Sequence, residues 1–477
     1  MNADAQRYLL LSVVALPLGA FVFLGVLAWW GRRRTERTVS AVVVSAFGLA
    51  AASALVLACA AAGGAPVVTA SAGTWFEVGG YGFHLVFAGD GLSLPFAALA
   101  ALLCSLIGAF SHRYLHREPG HLRFYLLLAL FGAGAQLVVL AGALECAFAG
   151  WELAGLASAL LIAFFHERRR PVEHGLRAFL TYRACDVGLL AAVVWLHHTT
   201  GASTVVVAPD GGPVVFRPPA DPRDAALIGL ALLWASMGKA AQVPLGGWLP
   251  RAMEGPTPSS AVFYGALSVS LGPYLLLRTE SIWAGPSAVG AAIIAVGALT
   301  AVHATVVGRA QTDIKSALAY ASMTQIGVIM VEVGLGLRHL AVVHLIAHAV
   351  LRSAQILRSP SLIHDHHRLE QAIGRPLPRT GRHLERLVPR TAQLWLYRYA
   401  LERGYFDAWL TDHVVGGLVR LVRRVDALDD RWARWLGTAG APAAPVPVLG
   451  TEPTGHPEGA ETASGTVTAA GGGEWRP

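Results

Sequence analysis

Apolar residues run along this chain in blocks of about 20, the length that crosses the hydrocarbon core of a bilayer as a helix, and short polar stretches divide one block from the next. Eleven such blocks are predicted as spans, at roughly 8–30, 39–62, 92–111, 124–144, 146–165, 178–198, 225–250, 259–277, 286–308, 316–336 and 339–357. Arg32, Arg33 and Arg34 follow the first block with no cleavage pattern, so that block is expected to be retained. Residues 1–358 thus read as a transmembrane domain, and the fold class as an all-α polytopic bundle.

Beyond residue 358 the pattern changes. Residues 359–382 are rich in His, Arg and Pro, and the His364-Asp365-His366-His367 cluster reads as a solvated loop. Farther on, Trp, Leu and Val mix with many arginines, as in Leu418-Val419-Arg420-Leu421-Val422-Arg423-Arg424. The region 359–436 is therefore expected to hold amphipathic helices on the inner membrane surface or on a partner. Residues 437–477, mostly Ala, Pro, Gly, Thr and Glu, are too poor in large apolar groups to fold and are expected to be disordered.

Composition strengthens this picture. Hydrophobic residues make up 54% of the 477 positions and charged residues 14%, against about 25% charged in soluble domains. The basic residues sit in every second loop: Arg32–Arg37, Arg113–Arg123, Arg168–Arg177, Arg251 and Arg309–Lys315. By the positive-inside rule the N-terminus is expected outside and the C-terminus in the cytoplasm. That distribution speaks against nucleic acid as a partner. Cys59, Cys104, Cys146 and Cys185 lie in apolar stretches without metal-ligand spacing and read as packing residues.

Ionisable groups inside spans cost about 2.5–3.5 kcal/mol on insertion scales, so each needs a partner, a cavity or a function. Lys239 stands near the middle of the seventh span, and the chain has only two lysines against thirty-five arginines. A desolvated lysine can release its proton, which arginine does not. Pro244, five residues on, removes the hydrogen bond to the Ala240 carbonyl, so the seventh helix is expected to break there. Glu152 in the fifth span is the natural counter-charge for Lys239; simple pairing to fix packing is the alternative. Glu145, seven residues earlier on the same face, is either a relay or an interfacial residue. Arg183 and Asp186 are spaced i, i+3 and can pair, for structure or for tuning.

His344, His348 and Arg352 run i, i+4, i+8 along the last span, with proton relay favoured over metal binding because no third ligand accompanies the histidines. Glu332 shares a face with Gln325 and is either a second acid near the pathway or a pair for an arginine. There is no strand-borne GxGxxG, P-loop or metal-ligand set, so no active site or cofactor of the chain's own is expected.

Five blocks together carry a resemblance: GWELAGLASALLIAFF at 150–165, RAFLTYRACDVGL at 177–189, MGKAAQVPLGGWLPRAMEGPTPSS at 237–260, DIKSALAYASMTQIGVIM at 313–330 and HLIAHAVLRSAQIL at 344–357. In this order they resemble the antiporter-like chain L, or subunit 5, of NADH-quinone oxidoreductase. The resemblance implies that Glu152 is the acid of a buried pair, Lys239 the central proton carrier, Arg183 and Asp186 tuning residues, and His344 and His348 a relay. Tyr264 stands where full-length members have a relay histidine, and Arg352 where they have a lysine. Full-length members continue with further spans, a second buried lysine and a long lateral helix, whereas this sequence passes at 358 into LRSPSLIHDHH and an Arg-rich stretch. Short members of this type look more like DabB, and the expected partner is then a soluble zinc-containing DabA-type subunit of an inorganic-carbon uptake system. The alternatives are a proton-translocating subunit L/5 among other membrane subunits, or a cation/proton antiporter subunit.

Overall fold

The computed structural model describes residues 2–31, 35–79, 81–207, 214–285, 287–374 and 389–435. It divides into two compact units, Met1–Thr411 and Asp412–Pro477. Among the described residues, ten helices are long and apolar enough to cross a membrane, which establishes a polytopic α-helical membrane protein.

The spanning helices are α1 (Ala3–Trp29), α2 (Glu36–Ala62), α3 (Ser93–Tyr114), α4 (His121–Leu140), α5 (Leu144–Ile162) and α6 (Arg169–Thr200), followed by α9 (Thr257–Arg278), α11 (Ser287–Gly308), α12 (Ile314–Gly334) and α13 (Arg338–Ile373). Between α6 and α9 lie α7 (Pro222–Lys239) and the short α8 (Trp248–Arg251); α10 (Glu280–Trp283) follows α9. Several starts are set by side chains that satisfy the free amides of a first turn. Asn2 accepts from the Ala5 amide, Thr35 from Thr38, Asp221 from Arg223 and Asp313 from Ser316.

Most packing joins neighbours in the chain, α1 against α2, α2 against α3, α4 against α5, α6 against α7 and α11 against α12, and α1 also packs on α4. Small residues allow the closest approaches, as expected where lipid supplies no hydrophobic drive between helices. A Cβ on Gly150 would lie 2.6 Å from the Gly134 carbonyl, and one on Gly327 2.6 Å from that of Gly297. Large apolar side chains such as Phe23, Leu106, Leu180, Val187, Val302 and Val343 remain exposed around the bundle, a surface suited to lipid rather than water.

The structure departs from the hydropathy reading in four places. The segment 225–250 is not one continuous span: α7 stops at Lys239, and a 3-10 turn at Leu245–Gly247 leads into α8. Residues 63–91 carry an antiparallel hairpin, β1 (Val68–Val78) with β2 (Tyr81–Gly89), and β3 (Val205–Val207) pairs with β4 (Val214–Phe216) in the next long loop. Arg169–Arg177 is the first part of α6 rather than loop. The backbone of 359–373, the His364–His367 cluster included, continues α13 as helix; its side chains at 360–370 lie outside the described residues.

After residue 388 the first unit adds α14 (Arg390–Leu401) and α15 (Phe406–Trp409). Within the second unit, α16 (Gly416–Trp435) places Leu418, Leu421, Val422, Val425 and Leu428 on one exposed apolar stripe. The tail at 437–477 lies outside the described residues.

Candidate functional site

Lys239 is the last residue of α7 and is 1% exposed. Its Nζ donates to the Trp151 carbonyl at 3.0 Å and lies 4.9 Å from the Trp151 ring centre and 4.4 Å from that of Tyr182. The ammonium therefore rests on one carbonyl dipole and two aromatic faces, contacts that favour a cation without neutralising it. Space for it exists because residue 155 is glycine: a Cβ there would lie 2.8 Å from Nζ.

The acids are arranged around Arg183 instead. Glu152 forms an ion pair with Arg183, and Arg183 also faces Asp186 Oδ2 at 2.7 Å. Asp186 Oδ1 accepts from the Trp151 indole at 2.5 Å. Glu152, expected as the counter-charge of Lys239, pairs with Arg183 instead: among the described residues Lys239 enters no salt bridge, and the fork of the guanidinium reaches both carboxylates. Trp151 links the two halves, its carbonyl holding Lys239 and its indole Asp186. Glu145 lies apart at the start of α5, where its carboxylate accepts from the Ser203 hydroxyl.

The chain beyond Lys239 turns sharply. Ala240 caps α7, Ala241 takes a left-handed φ of 52°, and the Val243 amide donates to Thr300 Oγ1 at 3.0 Å. The Trp248 indole returns to the Gly238 carbonyl at 3.0 Å. These side-chain bonds replace the helical bonds that the end of α7 gives up.

A second cluster lies on α12 and α13. His344 Nδ1 is 2.9 Å from Glu332 Oε1, and its Nε2 is 3.0 Å from Gln325 Oε1. An ionised Glu332 accepts from Nδ1–H, while the Gln325 amide presents either oxygen or nitrogen to Nε2. Both ring nitrogens thus have a polar partner. His348 is 5% exposed, and neither ring nitrogen has a hydrogen-bond partner among the described residues. Arg352 donates to Gln355 at 2.8 Å.

Helix α9 stands between the clusters. A Cβ on its Gly272 would lie 2.8 Å from the Ser236 carbonyl of α7, and one on its Gly265 3.0 Å from Ser353 of α13. Its turn at Ala261–Ala266 is a π-helix, a distortion often found at functional sites. Tyr264 falls in this turn, and its side chain lies outside the described residues.

The ionisable residues of the first cluster stand out in the sequence as charges in apolar runs. Trp151, Tyr182 and Gly155 do not, since each passes for ordinary span composition. Buried Asp90 and Arg278, paired at 2.6 Å, were also missed; the Asp90-Gly91-Leu92-Ser93 turn before an apolar run was the available signal. Asp407, set between Arg177 and Arg251 at 2.5 Å from each, was hidden because both arginines pass for loop charges.

Residues 141–378 match the family described as NADH:quinone oxidoreductase/Mrp antiporter, transmembrane. Residues 75–125 match the N-terminal model of chain 5 of NADH-ubiquinone oxidoreductase, complex I. The chain is 35% identical over 360 residues to NADH-quinone oxidoreductase subunit L of Escherichia coli K12, covering 74% of this chain and 57% of that relative. It is 33% identical over 300 residues to NADH-ubiquinone oxidoreductase chain 5 of Neurospora crassa, covering 62% of this chain and 41% of that one. Among solved structures, a chain of the Mrp complex from Dietzia sp. DQ12-45-1b superposes with a TM-score of 0.63 at 28% identity, over 73% of this chain and 37% of that one. The membrane-bound sulfane sulfur reductase, an archaeal respiratory complex, shares the fold with a TM-score of 0.60 at 20% identity, over 75% of this chain and 70% of its own.

Proposed function

The chain belongs to the antiporter-like family of NADH-quinone oxidoreductase subunit L and chain 5, and from that footing we propose that it is a proton-conducting membrane subunit in which Lys239 carries the proton. The observation that carries this reading is the setting of Lys239: a buried ammonium held by a carbonyl and two aromatic rings, one indole away from an Arg183 that binds two acids.

The mechanism follows from the arginine. While Arg183 engages both Glu152 and Asp186, their charge is largely spent on the guanidinium and little of it reaches Lys239. When Arg183 moves toward Glu152 alone, Asp186 is released and its charge favours the ammonium across Trp151. Shifting the guanidinium thus loads or unloads Lys239, and His344, poised between Glu332 and Gln325, is the next station for the proton. His348 would extend the relay along α13.

Within the family, the subunit L/5 type inside a larger membrane assembly is the preferred setting, with other membrane subunits as partners. The weighting toward inorganic-carbon uptake with a DabA-type partner gives way here, since the relatives cited are named for NADH-quinone oxidoreductase and the solved neighbours for Mrp and an archaeal respiratory complex. The N-terminus is proposed outside and the basic loops in the cytoplasm.

The test is passive proton flux in liposomes reconstituted with the protein. Lys239→Ala and Lys239→Arg should both abolish flux above the lipid background, arginine because it keeps its proton. Flux surviving in either, with the protein folded, refutes the role given to Lys239.

A further inference from the structure

Residues 399–409 fold back against the stretch that follows Lys239. The reversal is made by Arg403, Gly404 and Tyr405, three successive residues in the left-handed region with φ of 52°, 70° and 61°. Two of them are not glycine, and such conformations persist only where surrounding contacts impose them. The contacts are specific. The Tyr399 hydroxyl is 2.9 Å from His303 Nδ1, and the Phe406 ring meets the His303 ring edge to face at 5.2 Å. Asp407 accepts from Arg177 of α6 and from Arg251 of α8, each at 2.5 Å, while Arg251 also donates to the Gly247 carbonyl at 2.8 Å.

One carboxylate therefore ties α6 to α8, the element that follows the helix break after Lys239. Between the break and the returning segment lies a cavity of about 10 Å³, on the scale of a single water, floored by Val243, Pro244 and Gly246 and covered by Phe406 and Asp407. A Cβ on Gly247 would run into the Asp407 carboxylate, so cover and floor are in direct contact. A segment serving only to pack would seal this junction with apolar side chains. Here the fastening to α6 and α8 is ionic and runs through the single carboxylate of Asp407, with Tyr399 and Phe406 held on His303.

We propose that residues 399–409 form a strap, pinned by Asp407 to Arg177 and Arg251, that shuts the cavity at the turn after Lys239 against water from the face bearing those arginines. Its consequence for conduction rests on the proton-carrier reading; the closure itself does not. Asp407 is a positioning residue on this account and touches no transported ion.

Met323 lines the same cavity and is the site for a reporter thiol. In a chain with Cys59, Cys104, Cys146 and Cys185 replaced by alanine, M323C is labelled in membrane vesicles by an impermeant maleimide. R169C, at an exposed arginine that opens α6, marks the accessible face. Labelling of M323C should be slow with Asp407 present, at least tenfold faster in Asp407→Ala, and slow again in Asp407→Glu. Equal rates in the parent and Asp407→Ala, whether fast or slow, overturn the strap. If Asp407→Ala does not accumulate, Arg251→Gln and Tyr399→Phe must each raise labelling, and no rise in either overturns it equally. Labelling that follows Asp407 while flux is indifferent to Lys239→Ala keeps the strap and removes the proton-carrier reading.

Discussion

At the scale of single residues, the position of one nitrogen atom decides the account. Lys239 Nζ occupies the space that a side chain at 155 would fill. Gly155→Ala should push the ammonium off the Trp151 carbonyl and Tyr182 face, and a displacement near 1 Å can cost about 100-fold in rate. Flux in reconstituted liposomes is expected to fall by about that factor with the helix bundle intact; unchanged flux would show that the contact is incidental. Arg183 makes the opposite kind of prediction. Its removal leaves Glu152 and Asp186 without their cation, and Asp186 is buried, where an unpaired charge is strongly destabilising. Arg183→Ala should therefore lower the melting temperature in detergent more than Glu152→Gln, which leaves Asp186 paired. Equal shifts would mean that the guanidinium does not bridge the two acids.

Legibility at this scale depended on contrast. Lys239, Glu152, Arg183 and Asp186 are visible because a charge in an apolar run has no compositional excuse. Which acid meets which base is not visible, since spacing along a helix fixes faces but not the reach of a guanidinium across to its neighbour. Trp151 joins Lys239 to Asp186 through its two polar ends, yet in sequence it is one more aromatic in a span.

Elements were legible where hydropathy alone decides them and less so at their ends. Pro244 points to a break, and α7 stops ahead of it at Lys239, where Ala241 turns left-handed. The groups that hold this end are Thr300, which accepts from the Val243 amide, and Trp248, whose indole donates to the Gly238 carbonyl. Thr300 is distant in sequence, so the local pattern does not show it. The hairpins at 68–89 and 205–216 escaped because a search for long apolar blocks passes over short strands. Beside the first hairpin, Asp90 closes the turn into α3. Burial pushes its carboxyl up, but Arg278 and the Ser93 amide outweigh that and hold it below its ordinary value of 3.8. A depressed acid contributes stability that is present above the ordinary value and is lost as pH falls through the lower folded one. Melting in detergent should thus decline steeply below about pH 4, where the linked proton is taken up. In Asp90→Asn that acid-dependent part should vanish while the neutral-pH melting point drops. A variant with the parent's full pH profile would rule out Asp90 as its source.

At the scale of the whole molecule, the chain spans 57% of the Escherichia coli relative and 41% of the Neurospora crassa one. The residues that form both proposed stations, Lys239 with its acids and His344 with Glu332, fall within the matched region 141–378. Purification under mild detergent is expected to bring down membrane subunits of a respiratory type; recovery of a soluble zinc protein as the stoichiometric partner would return the balance to inorganic-carbon uptake. Composition gives the most direct test. Because Lys239 and Lys315 are the only lysines, lysine-selective 15N labelling yields two side-chain signals by nuclear magnetic resonance, and Lys239→Ala identifies which is which. With the protein in liposomes, the Lys239 signal should convert between ammonium and amine as the proton gradient is reversed, and Arg183→Gln should abolish the conversion. A Lys239 signal that stays ammonium under both gradients would contradict the claim that this residue carries the proton.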